Sequence, residues 1–232
     1  MKVAIVTGAS QGIGAGIAAA LVSAGYTVVG TSRSIQPSRE DRFLTVPGDI
    51  SEPETAQHVI EQALDRFGRI DTLVNNAGIF IGKPFTDYTR ADYDVMAAVN
   101  LAGFFHITQR AITRMVTQCS GHVVNVTTSL VDHARTASPS ALASLTKGGL
   151  NAVTRSLATE YAARGVRVNA VALGVIKTPM HDPADDDAMA AFHPIGRAGE
   201  ISDVVDGILY LERATFVTGE TLHIDGGQGA GR

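Results

Sequence analysis

Lys147 is the only charged residue in a small, apolar or hydroxyl-bearing stretch, "PSALASLTKGGLNAV" (Pro139–Val153). A cation within such a segment can hold the hydroxyl groups of a ligand or stabilise negative charge that develops on a bound molecule. Alternatively, a lysine in an apolar helix extends its ammonium group to solvent and has no such role. Motifs elsewhere in the sequence distinguish a ligand-binding lysine from one that only reaches solvent.

A glycine-rich turn, "TGASQGIG" (Thr7–Gly14), follows an apolar run and precedes an alanine-rich helical pattern. Gly8, Gly12 and Gly14 leave this turn with few side chains, so that backbone N–H groups and a helix N-terminus can approach a pyrophosphate. The spacing is G-x-x-x-G-x-G, which differs from the G-x-G-x-x-G dinucleotide fingerprint. The turn predicts a dinucleotide site, with tight packing of the turn as the alternative.

The end of the second predicted strand indicates which dinucleotide binds. Ser32 stands where an acidic residue would hold the ribose 2′-hydroxyl of NAD(H), and Arg33 follows it. An arginine at this point suits a 2′-phosphate, although a surface arginine after a strand is also common. We therefore expect NADP(H) as the cofactor rather than NAD(H).

Short β-branched runs alternate with helical patterns along the whole chain. The predicted strands are Val3–Thr7, Thr27–Ser32, Phe43–Gly48, Asp71–Ala77, Gly121–Thr128, Arg167–Leu173 and Thr221–Asp225. The predicted helices are Ala15–Ala24, Glu54–Phe67, Ala91–Gln118, Ser140–Ala163 and Ile201–Arg213. Continuous apolar strands are typical of parallel sheets buried on both faces. The pattern predicts an α/β fold, a Rossmann-type doubly wound parallel sheet of about seven strands with helices on both faces.

Bulk properties exclude several function classes. The chain has 232 residues, of which 45% are hydrophobic and 18% charged, with a formal net charge of −4, so nothing favours nucleic acid or an anionic membrane as a partner. Cys119 is the only cysteine, which excludes an internal disulfide and a cysteine-based metal cluster. No apolar run reaches the length of a membrane span, and we expect no signal peptide because the apolar run in the first ten residues is too short for one. We expect a cytoplasmic protein with a single dinucleotide-binding domain, 1–232, and a substrate loop around 180–197.

Eight stretches, in this order and at these separations, resemble the short-chain dehydrogenase/reductase family over essentially the whole chain. They are "TGASQGIG", "GDIS" (Gly48–Ser51), "DTLVNNAG" (Asp71–Gly78), "VNLAGFF" (Val99–Phe105), "GHVVNVTT" (Gly121–Thr128), "LTKGGL" (Leu145–Leu150), "GVRVNAVALGVIKTPM" (Gly165–Met180) and "VTGETLHIDGG" (Val217–Gly227). The resemblance implies the doubly wound fold and a nicotinamide cofactor.

The resemblance also implies further cofactor contacts at matching positions. The phosphate turn would be lined by Ser10, Gln11 and Ile13, and the adenine would be held by Asp49 and Ile50. The adenine ribose would be flanked by Asn76, Ala77 and Gly78, and the nicotinamide carboxamide would meet Val175, Ile176 and Thr178. Leu173-Gly174 stands where the family usually has Pro-Gly, so this loop is expected to be less rigid.

The resemblance implies hydride transfer to a carbonyl, whose oxygen then needs a proton. The family supplies it from a tyrosine four residues before the lysine, on the same helix face. Lys147 is present and would also hold the nicotinamide ribose, but Ala143 stands at the tyrosine position. Thr128, with Ser129 beside it, matches the family's hydrogen-bonding serine. Asn100 matches its water-holding asparagine, with a polar residue that only kinks or caps the helix as the alternative.

Without the tyrosine, the proton source stays open among His133, Ser140 and a water held by Lys147. We expect an NADP(H)-dependent oxidoreductase that acts on a carbonyl or alcohol substrate. The alternative, favoured by Ala143, is a non-catalytic NADP(H)-binding sensor or partner subunit. A weaker third possibility is a dehydratase or epimerase that uses the nucleotide without net redox change.

The resemblance further implies a homo-oligomer, either a dimer or a tetramer. The helices Ala91–Gln118 and Ser140–Ala163 would form one two-fold contact, and the C-terminal segment from Val217 onward a second one. Two different two-fold contacts generate a D2 tetramer.

Overall fold

The computed structural model describes residues 1–136, 138–179 and 186–230. The strands are β1 (Val3–Thr7), β2 (Thr27–Ser32), β3 (Phe43–Pro47), β4 (Thr72–Asn75), β5 (Gly121–Thr128), β6 (Val166–Leu173) and β7 (Thr221–Ile224). The helices are α1 (Gly12–Ser23), α2 (Pro53–Phe67), α3 (Arg90–Ala97), α4 (Gly103–Gln118), α5 (Ala141–Tyr161), α6 (Asp186–Ala190) and α7 (Ile201–Arg213).

The strands form one seven-stranded sheet in the order β3-β2-β1-β4-β5-β6-β7. Every neighbouring pair is parallel. The strand order reverses where β1 meets β4, and in such sheets the crevice outside the carboxyl ends at this point is where ligands bind. The predicted Rossmann-type, doubly wound α/β fold is confirmed.

The two faces of the sheet carry separate hydrophobic cores. Along β1, Val3 and Ile5 pack into a core with α2 and α4, whereas Ala4 and Val6 pack into a core with α1 and α7. Successive side chains of a strand point to opposite faces, so a strand buried on both sides is apolar at most of its positions. This explains why the continuous apolar runs predicted the strands.

The predicted helix Ala91–Gln118 is interrupted in the structure. α3 ends at Ala97, a π-helical turn covers Ala98–Ala102, and α4 follows. π-turns of this kind insert an extra residue into a helix and are frequent at functional sites. This one contains Asn100, which is 1% exposed.

A buried polar cluster lies at the amino-terminal edge of the sheet, opposite the ligand-binding edge. Oε2 of Glu212, on α7, accepts hydrogen bonds from the Tyr26 hydroxyl at 2.9 Å and from Thr72 Oγ1 at 3.0 Å. Its Oε1 lies 2.6 Å from His122 Nδ1. Burial alone would raise the pKa of Glu212, but these hydrogen bonds outweigh it and hold the pKa below its usual value. We call these four residues the Glu212 cluster.

Among the described residues, the structure contains no helix that is long and apolar enough to cross a lipid bilayer.

Candidate active site

Lys147 lies on α5 beneath the carboxyl end of β5. Its Nζ donates a hydrogen bond of 2.9 Å to the carbonyl oxygen of Val126, and the side chain is half-buried. Burial lowers the pKa of Lys147 from 10.5 to about 8. Among the described residues no carboxylate forms an ion pair with it. The ammonium is therefore held by a single carbonyl and has N–H bonds left for a ligand.

Asn100 and Lys147 meet at Gly78, which follows β4. A Cβ built on Gly78 would lie 2.8 Å from Lys147 Nζ and 3.3 Å from Asn100 Oδ1, so only a glycine leaves both groups in place. The Asn100 side chain accepts from Ile79 N at 2.9 Å and donates to Ile79 O at 3.0 Å and to Thr146 Oγ1 at 3.1 Å. Its amide thus ties the loop after β4 to α5, and its water-holding role stays a prediction.

Thr128 is the last residue of β5 and is half-buried. Its Oγ1 lies 3.4 Å from the carbonyl oxygen of Leu173 and accepts from Leu130 N at 3.3 Å. Both contacts are long for hydroxyl hydrogen bonds, so a ligand oxygen can replace the first. The adjacent Ser129 is fully buried and donates to Asp225 Oδ2 at 2.8 Å, which leaves Thr128 as the accessible hydroxyl of the pair.

Ala143 lies one helical turn before Lys147 on α5, and it is 2% exposed. It belongs to a small apolar cluster with Met96 and Leu142, against which Ile79, Ile81 and Tyr88 pack. A methyl group carries no ionisable proton, so this position contributes packing and no acid–base chemistry.

His133 and Ser140, the side chains predicted as candidate proton donors, stay predictions. His133 is exposed; its backbone N donates to Ser129 O at 3.0 Å, and its ring Cδ2 would lie 3.3 Å from a Cβ on Gly229. These described contacts are with Ser129 and the C-terminal segment, not with Ala143 or Lys147. Ser140 is the N-cap residue of α5 and is buried.

The glycine turn predicted to bind the pyrophosphate lies at the start of α1. A Cβ on Gly14 would collide with the carbonyl oxygen of Gly8. Gly12 has φ +55° and faces Thr178, whose Cβ would lie 3.6 Å from an added Cβ. The structure therefore brings the phosphate turn and the predicted nicotinamide loop together. Ser10 and Gln11 are exposed at the mouth of the turn, and Ile13 is half-buried against the core.

The carboxyl ends of β2 and β3 lie side by side. Ser32 Oγ is buried and has no hydrogen-bond partner within the described ranges, while Arg33 next to it is exposed. Asp49 accepts from Ser51 N at 3.0 Å and from Ser51 Oγ at 2.8 Å, and these bonds, with a smaller effect of Arg33, lower its pKa. Ile50 is buried behind it. A buried hydroxyl without a described partner next to an exposed arginine fits a phosphate-bearing ligand.

Hydrogen bonds also join the ends of β1 and β4. Thr7 Oγ1 accepts from Asn76 N at 3.1 Å and from Ala77 N at 2.9 Å, and Asn76 Nδ2 donates to Thr7 O at 2.9 Å. Because these N–H groups turn toward β1, β4 ends at Asn75, two residues before its predicted end. These hydrogen bonds connect the glycine turn after β1 to the segment that leads to Gly78.

The candidate substrate side is partly apolar. Phe80, Phe85 and Ile195 are 56%, 72% and 64% exposed around the carboxyl edge. Residues 180–185 of the predicted substrate loop lie outside the described residues, and 186–197 include α6. A cleft of about 240 Å³ opens behind Val175 and Ile176 and is lined also by His193, His223 and Asp225.

A protein-family model matches nearly the whole chain. The model described as enoyl-(acyl carrier protein) reductase matches residues 8–228. The chain belongs to this family of short-chain dehydrogenases/reductases.

Curated relatives and solved structures match over nearly the full length. The granaticin polyketide synthase putative ketoacyl reductase 2 of Streptomyces violaceoruber is 37% identical, with 97% of this chain and 95% of the relative covered. The 3-oxoacyl-[acyl-carrier-protein] reductase FabG of Thermotoga maritima is 32% identical, with 97% of both covered. The structure of ElxO with NADP bound has a TM-score of 0.93 and 30% identity, and 99% of each chain is covered.

His193 is a site residue that the sequence analysis did not identify. Its Nε2 accepts a hydrogen bond from Val175 N at 3.0 Å, and its Nδ1 donates to Met189 O at 2.9 Å. Burial lowers the pKa of His193, and both partners suit the neutral ring. The ring lies against Gly174 and so fixes the loop that carries Val175 and Ile176. A histidine before a proline, as in "FHPIG", carries no recognisable signal in the sequence.

Proposed function

We propose that the chain is an NADP(H)-dependent short-chain oxidoreductase that acts on a carbonyl or alcohol substrate through an atypical active site without the usual tyrosine. Residues 1–232 form a single dinucleotide-binding domain in this proposal, with the substrate loop around 180–197. The observation that carries the proposal is the meeting of Lys147 Nζ and Asn100 Oδ1 at Gly78, with Nζ also bonded to Val126 O on β5, the strand that ends at Thr128. The family membership supports it.

The residues present suit NADP(H). The glycine turn would hold the pyrophosphate, because added side chains there would collide with neighbouring groups. The buried, unpartnered Ser32 hydroxyl and the exposed Arg33 would hold the 2′-phosphate. ElxO, a structural neighbour at 30% identity, has NADP bound. When bound, the cofactor supplies or accepts the hydride.

The protein's own side chains then orient the reactants. Thr128 would donate a hydrogen bond to the substrate oxygen as that oxygen gains negative charge. Lys147, with N–H bonds left beyond the one to Val126, would hold the ribose hydroxyls of the cofactor. Val175, Ile176 and Thr178 would hold the carboxamide on a loop fixed by His193.

Ala143 favours a second candidate function, a non-catalytic NADP(H)-binding sensor or partner subunit. In this case the site binds cofactor, and the buried methyl group in place of a proton donor silences reduction. Loss of a positioned acid slows such reactions by about 100- to 10,000-fold.

A comparison of the natural protein with Ala143→Tyr separates the two functions. NADPH oxidation is measured against a panel of ketones, aldehydes and quinones, and NADPH affinity is measured by fluorescence. Saturable oxidation by the natural protein supports the enzyme. Tight NADPH binding with turnover by Ala143→Tyr alone supports the sensor. If neither protein binds NADPH, both functions are wrong.

We also propose a homo-oligomer formed through α4 and α5, either a dimer or a tetramer. Phe105 on α4 and Leu145 on α5 are large apolar side chains that are 54% and 60% exposed. Sedimentation of the natural protein beside Phe105→Glu tests this proposal, since a charge at the contact is expected to dissociate the assembly. The cytoplasmic location stays a prediction.

A further inference from the structure

Building on the proposed function, we propose that the Lys147 ammonium is the acid that protonates the substrate oxygen during reduction. In this chain the lysine takes over the task that the family gives to the tyrosine one turn earlier. Only the proton donor differs from that of the family, and the hydride transfer is the same.

The other proton-bearing groups near Ala143 are held by other partners. The Tyr88 hydroxyl donates to Ile81 O at 2.7 Å, and the Ser144 hydroxyl donates to Leu130 O at 3.2 Å. Thr146 Oγ1 donates to Leu142 O at 3.1 Å while it accepts from Asn100. Aliphatic hydroxyls are moreover far too weakly acidic to release a proton at neutral pH.

Lys147 differs from these groups in three ways. Its Nζ has one described acceptor, Val126 O at 2.9 Å, so two of its three N–H bonds remain, one for a ribose hydroxyl and one for the substrate oxygen or a bridging water. No described carboxylate pairs with it, so no negative charge among the described residues opposes the effect of burial on its pKa. It also faces Gly78 together with Asn100, at the edge where the substrate would bind.

The acidity of Lys147 suits this task. Burial lowers its pKa to about 8, which is close to the pH at which a general acid is both protonated and able to give up its proton. In a family member with the tyrosine, a phenol would stand between the ammonium and the substrate. Ala143 removes that phenol and leaves the ammonium as the nearest acid.

The proposed step balances. The carbonyl carbon gains a hydride from NADPH, which is oxidised to NADP⁺, and the C=O π bond breaks. The substrate oxygen gains the Nζ proton, either directly or across one water, and becomes an alcohol. Lys147 is left as a neutral amine and regains its proton from solvent.

A pair of substitutions separates acid catalysis from cofactor binding. Lys147→Arg keeps a cation for the ribose, but a guanidinium gives up its proton far too weakly to be a general acid. We expect its NADPH affinity to stay within about 3-fold and kcat to fall by about 100-fold or more. Lys147→Arg with full kcat would overturn the proposal, because a fixed charge would then suffice.

Amine rescue covers the case in which arginine does not fit the site. Lys147→Ala is expected to regain turnover with added methylamine or with a less basic amine such as 2,2,2-trifluoroethylamine. At equal concentrations of the protonated form, the more acidic ammonium should rescue more. Rescue that ignores amine acidity, or no rescue in a protein that still binds NADPH, contradicts the proposal.

The pH dependence supplies a readout on the lysine itself. For the natural protein, kcat/KM for reduction should be full below pH 8 and fall above it, because the acid has to be protonated. The ¹³Cε resonance of Lys147, in protein labelled at lysine, should titrate near the same pH even without substrate. Titration above pH 10, or a profile flat from pH 7 to 9, would show that Lys147 is not the acid.

Tyr88→Phe is the matched control, because Tyr88 is the phenol that packs against the Ala143 cluster. We expect its pH profile to match that of the natural protein, and loss of the basic limb there would assign the proton to Tyr88 instead. Failure of this inference is distinguishable from failure of the proposed function. If the natural protein turns over and Lys147→Arg is equally fast, only the inference is wrong. If only Ala143→Tyr turns over, the proposed enzymatic function and the acid role of Lys147 are both wrong.

Discussion

The two edges of the sheet hold their buried ionisable groups in different ways. At the amino-terminal edge, the Glu212 carboxylate accepts from Tyr26, Thr72 and His122, and its pKa is held low. At the carboxyl edge, Lys147 has one described acceptor, the Val126 carbonyl, and its pKa is lowered because burial disfavours its charge. Both carboxylate oxygens of Glu212 accept hydrogen bonds, whereas Lys147 Nζ has N–H bonds without a described acceptor.

This difference separates stability from chemistry. A fully hydrogen-bonded buried carboxylate joins elements that are far apart in the chain, here α7, β4 and β5, and cannot easily change its charge. A buried ammonium with unused N–H bonds costs stability but remains available to a ligand. The sheet therefore has one edge that fixes the fold and one that keeps a reactive group.

The largest expected effect is the loss of stability in Glu212→Gln. The amide keeps the shape of the side chain but presents an NH₂ group to a neighbour that itself donates, so a buried donor loses its acceptor. We expect a loss of about 3 kcal/mol in the free energy of unfolding, measured with urea. Glu61→Gln, on the exposed face of α2, is the matched control and should cost less than about 0.5 kcal/mol.

The pH dependence sharpens this prediction. Since the pKa of Glu212 is lowered in the folded protein, its stabilisation is present above the unfolded value and is lost as pH falls through the folded one. The acid-induced loss of stability should be smaller in Glu212→Gln than in the natural protein. Equal loss in both would mean that the carboxylate is not the anchor of this edge.

The contribution of Lys147 to stability is also expected to rise with pH, but in an alkaline window and because the group loses its charge there. Its pKa falls from 10.5 to about 8 on folding, so the unfolded chain binds more protons between these values. The free energy of unfolding should rise with pH in this window by on the order of 2 kcal/mol relative to Lys147→Met. The measurement is urea unfolding of both proteins from pH 8 to pH 10. A difference that stays constant would remove the contrast between the two edges.

Much of the fold could be predicted because its determinants are local. Short runs such as "VAIVT" are apolar or β-branched at every position, as is typical of strands buried on both faces, and β1, β2 and β5 match their predicted bounds. The glycine turn was also predictable, because its three glycines stand within seven residues of one another, directly after an apolar run. Its approach to Thr178, more than 150 residues away in the chain, was not predicted.

Features that depend on distant residues could not be predicted. The side chain of Asn100, in the π-turn at Ala98–Ala102, forms hydrogen bonds with Ile79 and Thr146. No local sequence pattern predicts this turn. Glu212 looks like an ordinary acidic residue near the end of an amphipathic helix. Its partners lie in segments 90 or more residues away, so its burial appears only in three dimensions.

The smallest expected effect concerns the two histidines, one at each edge. His122 binds a carboxylate, whereas the hydrogen bonds that His193 forms with described residues are to backbone groups, accepted from Val175 N and donated to Met189 O. His193→Phe keeps a ring against Gly174 but leaves Val175 N–H without its acceptor. We expect a loss of about 1 kcal/mol in stability and a 5- to 10-fold weaker NADPH affinity, roughly the same free energy expressed in binding.

NADPH fluorescence titration and urea unfolding, with His58→Phe on the exposed face of α2 as the control, test this prediction. Weaker NADPH binding in His193→Phe, with normal binding in the control, would mean that His193 acts by positioning the loop of Val175 and Ile176. A stability loss with unchanged affinity would instead make His193 a counterpart of His122, a residue that holds the fold alone. The carboxyl edge would then owe its ligand binding to the glycine turn and Lys147, and the division between a fixed edge and a reactive edge would be less complete.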